Sequence, residues 1–188
     1  MPVTPLHVAF AWPFKMKFKA LNFAALTMGA IVPDLEALVY HLLGLYPDRL
    51  VLHSLVGALS VDIVLTVVLV KLLAHAKLEK VGISGFASAK LDKYFIISVA
   101  IGSLSHVLVD ALHHEDNPLL WLIGPTYFTG PLVVAFGAPL AHSIIAAAAI
   151  AIIAFMFKKL LNDSGYGFSL VFRNPIKAMS VVTSVLLV

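Results

Sequence analysis

Cysteine is absent from the chain, which excludes disulfides and thiolate metal sites. Charge is scarce: Asp, Glu, Lys and Arg make up 12% of the 188 residues, about half the share of a soluble domain. Basic residues are missing from the depths of the long apolar runs, and their few neighbours are rarely aromatic, which argues against nucleic-acid binding. The first residues, MPVTPLHVAF, lack a basic start and carry Pro, so they are not expected to be a signal peptide. What remains is 61% hydrophobic. The expectation is a single membrane-embedded domain over residues 1–188.

Four apolar segments reach the roughly 20 residues that a bilayer crossing needs: about 21–45, 50–74, 94–112 and 132–157. Residues 5–14 are shorter and end at Pro13 and the Lys15, Lys17, Lys19 cluster, which fits a half-helix. Residues 168–188 are a possible fifth crossing, interrupted by Arg173, Asn174 and Pro175. The expected fold is all-α: an integral membrane helical bundle of four to five transmembrane helices with a short N-terminal half-helix.

In an up-and-down reading, every Lys and Arg except Arg49 falls on one side of the bilayer, including Lys71, Lys77, Lys80, Lys90 and Lys93 between the second and third spans. The positive-inside rule makes that side cytoplasmic. Loop 117–131, rich in Pro and aromatic residues, then lies outside as an interfacial loop.

The residues that do not belong in lipid are Asp34, Glu36, His53, Asp62, His106, Asp110 and His142. Ionisable side chains at such depth are costly and mark function. Counting at 1.5 Å per residue puts Asp110 and His53 about 5 Å from the outer ends, His106 about 10 Å, and Glu36, His142 and Asp34 about 15–18 Å. Neutral imidazoles and anionic carboxylates at a shared depth are the chemistry of a metal site. Asp62 stands apart, about half a helical turn round from His53.

The densest pattern is Ser105-His106-x-x-x-Asp110-x-x-His113-His114, which sets imidazole and carboxylate on one helical face. Pro33 precedes Asp34 and Glu36, which share a site only if the helix breaks there. Arg49, four residues before His53, is a clamp for an anion such as phosphate, or equally an interfacial residue at a headgroup. His7 and His142 are isolated, and a lone His there is as often a helix–helix contact as a ligand. His41 reads as interfacial, and His75 has no assigned role.

Thr4-Pro5-x-His7, Pro33-Asp34-Leu35-Glu36, His53-Ser54-Leu55, Gly102-x-Leu104-Ser105-His106-x-x-x-Asp110 and Asn117-Pro118-Leu119-Leu120-Trp121 together resemble the membrane-bound metal-dependent hydrolases. That family includes the inner-membrane YdjM-like proteins and related small membrane proteins of unknown function. Two departures stand out: Glu36 replaces the second Asp of the acidic motif, and Asp48-Arg49 stands where the family has His-Arg-Gly. More distantly, the order His7, Asp34, His53, His106-x-x-x-Asp110, His113 or His114, His142 is similar to the ligand order of the zinc-dependent phospholipase C and S1/P1 nuclease group.

These resemblances imply a zinc-dependent phosphoester hydrolase facing the extracytoplasmic leaflet, with a lipid or lipid-linked substrate. Asp34, His53, His106 and Asp110 would bind metal, with His7, His113 or His114, and His142 completing a second site. Glu36 would support a ligand from outside the metal's own coordination or act as general base. The alternatives are a metal or proton transporter using the same residues, and a structural protein held by buried polar contacts.

Overall fold

The computed structural model describes residues 6–75, 90–124 and 127–187. Among the described residues there are helices and no strand, only an isolated antiparallel bridge between Asn117 and Phe128. In chain order the helices are α1 (His7–Lys17), α2 (Phe23–Ile31), α3 (Asp34–Leu42), α4 (Leu55–Ala58), α5 (Val61–His75), α6 (Lys93–His113), α7 (Pro131–Phe136), α8 (Ala138–Asp163), α9 (Leu170–Arg173) and α10 (Pro175–Leu187). Three stretches are long and apolar enough to cross a membrane: Phe23–Leu42, Lys93–His113 and Ala138–Asp163. Thr4, Pro5, Lys77, Lys80 and residues 125–126 of the aromatic loop lie outside the described residues.

The expected spans are helical but more broken than the apolar runs suggest. The first is interrupted at Val32 and Pro33, between α2 and α3. Proline has no N–H to continue the ladder, and such breaks persist at membrane depth where neighbouring groups occupy the freed polar atoms. The second is not a helix from Leu50. Residues 50–54 form turns, and α4 begins only after Ser54, which caps it by accepting from the Gly57 amide at 2.9 Å. The fourth is divided at Gly137, whose φ of +78° a residue with a Cβ would rarely adopt. The half-helix α1 runs through Pro13 to Lys17, giving up one hydrogen bond inside a packed bundle. At about 1.5 Å per residue it is about 16 Å long, half a crossing. The C-terminal segment breaks at Asn174, and α10 has 13 residues, too few for a straight crossing.

Helix α6 is the hub, packed against α1, α2, α4, α5, α7 and α8. Its start is capped by Asp92, which accepts from the Phe95 amide at 2.9 Å. Its closest partner is α2. In lipid, hydrophobicity alone does not drive helices together, so close packing of small residues must. Gly102 supplies it: a Cβ there would sit 2.2 Å from the Leu26 carbonyl oxygen. Gly29 faces the Val99 carbonyl in the same way, at 2.3 Å. Asn22, the N-cap of α2, also donates its amide to Ser98 Oγ on α6 at 2.8 Å. Ala25, Val70, Phe95 and Val99 seal the joint between α2, α5 and α6. The backbones of α2 and α6 therefore nearly touch beside the residues that carry the polar cluster.

A candidate metal centre

Five of the residues expected to bind metal, His7, His53, His106, His113 and His114, converge on Asp110, in the last turn of α6 and almost fully buried. One carboxylate oxygen, Oδ2, lies 3.6 Å from His53 Nε2 and 3.6 Å from His106 Nε2. Asp34 Oδ1 stands on the same side, 3.8 Å from His53 Nε2 and 3.6 Å from His106 Nε2. The other oxygen, Oδ1, lies 3.3 Å from His7 Nε2, 3.5 Å from His114 Nε2 and 3.9 Å from His113 Nε2. His142, from α8, packs edge-on against His113 and His114 with ring centroids 5.1 and 5.0 Å apart. His7 stacks on His106 at 4.0 Å. Asp110 is thus the shared wall between two nests of ligands.

Local structure aims each ring. His106 Nδ1 is 2.8 Å from the Ala30 carbonyl, in the last turn of α2, where carbonyls lack helical donors. The close approach at Gly102 and Gly29 brings that carbonyl within reach. His113 Nδ1 is 2.8 Å from the Val109 carbonyl, and His142 Nδ1 is 2.6 Å from the Ala138 carbonyl. His53 Nδ1 is 3.2 Å from Glu36 Oε2. An Nδ1–H donated to these acceptors fixes the tautomer and leaves Nε2 as a lone-pair donor, the usual outer arrangement of metal-binding histidines.

The helix break makes Asp34 and Glu36 useful together. They address opposite nitrogens of the same His53 ring. Glu36 also accepts backbone amides: Leu50 and Val51 donate to it at 2.8 Å, and Leu52 at 3.1 Å. It anchors the 50–54 turns and orients His53. Three of its four contacts fall on Oε2, and Oε1 accepts from Val51 alone. The same anchoring explains why residues 50–54 are not helical despite their apolar sequence.

The free atoms are the informative ones. The Nε2 atoms of His53, His106, His113 and His114, Asp34 Oδ2 and both oxygens of Asp110 are buried without a hydrogen-bond partner among the described residues. A buried carboxylate without hydrogen-bond partners is costly, and for Asp110 the nearby Arg49 guanidinium offsets only part of that cost. The N···O separations of 3.3–3.9 Å are long for hydrogen bonds. Two ligands at about 2.0 Å from a tetrahedral zinc stand about 3.3 Å apart, so the spacing suits ligands around a cation. Three triplets have ligand atoms within 4.8 Å of one another: Asp34, His53 and His106; His7, His106 and Asp110; His113, His114 and His142. Burial also holds the His114 imidazole below its ordinary pKa, with Asp110 pulling the other way. A metal ligand must be neutral in this way. The residues present fit a metal.

Arg49 is buried beside this cluster, with Nη1 2.8 Å from Asp48 and Nε 3.4 Å from Asp110 Oδ2. It lines a cleft of about 330 Å³ that also touches His41, His114 and His142. The described parts of the loop that follows α6 are tied to the site's own elements by backbone hydrogen bonds. Asn117 and Phe128 exchange backbone hydrogen bonds, the Gly130 amide donates to the His114 carbonyl at 2.8 Å, and the Leu55 amide donates to Leu119 at 2.9 Å. Asp62 lies outside the cluster and accepts a hydrogen bond from Ser103, one turn before His106 on α6. The main-chain acceptors at Ala30, Val109 and Ala138 carry no side-chain signal and are invisible in sequence; the Leu50–Leu52 amides are the same.

An all-helical protein with three membrane-length helices and a buried His–Asp cluster able to hold metal is the class that fold and site define. The chain belongs to the DUF4184 family, a domain of unknown function, whose model matches residues 1–188. No curated protein and no solved structure matches it.

Proposed function

We propose that the protein is an integral membrane metal-dependent hydrolase of a phosphoester carried by a lipid or lipid-linked substrate. The observation that carries the reading is the set of buried, unpartnered Nε2 atoms facing the two oxygens of Asp110. In this reading Asp34, His53, His106 and Asp110 hold one cation, and His7, His113, His114 and His142 surround a second beyond Asp110. Zinc is the metal assigned, since imidazole and carboxylate without sulfur are among its usual ligands. When bound, zinc lowers the pKa of a coordinated water toward about 7 and stabilises charge on a phosphoryl group.

Arg49 offers its guanidinium to a non-bridging phosphate oxygen, and Glu36 keeps His53 in place. Hydrolysis joins a water oxygen to phosphorus and breaks one ester P–O bond. The leaving alcohol takes one water proton and the phosphate product keeps the other. The single domain would cross the bilayer four times, by the three long helices and the α4–α5 segment, Leu55–His75, with α1 as a half-helix. The Lys-rich loops would be cytoplasmic and the cleft extracytoplasmic.

The test is elemental analysis of purified protein, then turnover of a panel of phosphoester lipids with and without chelator. Bound zinc that His106→Ala loses, together with chelator-sensitive hydrolysis, is the expected result. No transition metal in the wild type sinks the metal reading. Metal without turnover, together with metal or proton flux in proteoliposomes, would favour the transporter.

A further inference from the structure

The cleft that reaches the cluster has an uneven lining. Its inner wall is Arg49 and His114, both more than nine-tenths buried, with Arg49 Nε and His114 Nε2 lacking hydrogen-bond partners among the described residues. Its outer wall is acidic. Asp48 is spent on Arg49, but among the described residues Glu115 is exposed with no cationic partner, and Asp116 accepts from the Tyr46 hydroxyl. Tyr46 itself is 80% exposed at the mouth.

A ligand entering this cleft meets fixed negative charge first and the Arg49 guanidinium, held between Asp48 and Asp110 beside the His–Asp cluster, last. A purely anionic phosphate is repelled at the mouth, and a simple cation finds a guanidinium at the bottom. A molecule with phosphate at one end and a cation at the other satisfies both walls. Resting on the hydrolase reading for the orientation of the phosphate, we infer that the cleft takes a zwitterionic phosphoester. Its phosphate faces Arg49 and the His–Asp cluster, and its ammonium faces Glu115 and Asp116. The exposed Tyr46 beside Leu45 gives the mouth an apolar shoulder, which suits a lipid more than a water-soluble ester.

The experiment uses the full chain in detergent micelles with phospholipids of matched tails. Their headgroups are phosphoethanolamine, N-acetylphosphoethanolamine and phosphoglycerol. Competitive binding is read by native mass spectrometry, and turnover of the zinc-loaded protein is read separately. The wild type is expected to prefer the ethanolamine headgroup by about tenfold or more. Neutralising each acid, by Glu115→Gln and Asp116→Asn, is expected to reduce that preference about fivefold, the worth of one unit charge at about 4 Å in water. Zinc content and the thermal midpoint should stay unchanged in both variants.

Equal binding of the three headgroups by the wild type overturns the inference without any mutation. So does a preference that survives the double substitution. Slower zinc uptake with unchanged headgroup preference would make the acidic wall a metal funnel and would also overturn it. Selective binding without turnover leaves the headgroup assignment standing and sinks the hydrolase reading; turnover without selectivity does the reverse. Glycerophosphoethanolamine, lacking tails, separates the sources. Competition as strong as the lipid's assigns the same chemistry to a soluble ester, and competition weaker by about tenfold assigns it to a lipid.

Discussion

Replacing Glu36 separates two roles for the same carboxylate. Its oxygens accept three backbone amides, from Leu50, Val51 and Leu52, and hold His53 Nδ1 at 3.2 Å. Glu36→Ala strands all three amides. At about 1–3 kcal/mol for each buried donor left unpaired, the low end applies to Leu50 and Val51, which are only partly buried. The sum, about 3–5 kcal/mol, approaches the whole stability of a small domain, so this variant is expected to fold poorly. Glu36→Gln is the sharper tool. One oxygen survives for two of the amides, while the new NH2 group faces the third. The expected destabilisation is about 1–3 kcal/mol. His53 loses its charged acceptor, and loss of such an outer partner typically weakens metal binding about 10–100-fold. The assay is zinc affinity by chelator competition, paired with thermal midpoints at saturating and depleted zinc. A general base predicts the opposite pattern: zinc affinity unchanged and turnover reduced by about 100-fold or more. Wild-type zinc affinity in a folded Glu36→Gln protein would refute the positioning role.

Three further substitutions probe the frame around it. Asp110→Asn removes the carboxylate shared by both ligand nests, so zinc per chain should fall to less than half the wild-type value by elemental analysis; retention of full zinc would detach Asp110 from the centre. Gly102→Ala puts a Cβ 2.2 Å from the Leu26 carbonyl and must push α2 away from α6. The expected cost is about 1–3 kcal/mol, read as a lower thermal midpoint, with weaker zinc binding because the Ala30 carbonyl moves with α2. Asp62→Asn should leave zinc content unchanged, since Asp62 contacts Ser103 rather than the ligand nests; loss of zinc would place Asp62 in the site.

Much of the site is legible as a list of residue types, and little of it as geometry. His106 and Asp110 read correctly as one face because both lie within an unbroken α6. His53 and Arg49 do not lie on a helix, yet both reach Asp110, since Glu36 folds the 50–54 turns toward it. Hydropathy cannot register that tertiary contact. Pro33 flags the break that lets Asp34 and Glu36 meet one ring, but which ring depends on a segment 17 residues further along. His7 and His142, ambiguous as isolated residues, gain meaning only when α1 and α8 pack beside α6. The division of the fourth span at Gly137 is hidden by its apolar flanks.

Asp110 also constrains how the two nests are filled. One side chain cannot turn to suit one nest without moving relative to the other, because its two oxygens face different histidines. If both nests take a cation, their occupancy is linked: the first to bind settles the carboxylate for the second, and by reciprocity each affects the other's affinity by the same factor. Zinc titration of this protein would then be fitted by a coupling constant as well as two affinities, and partial demetallation would not yield a simple mixture of independently emptied sites.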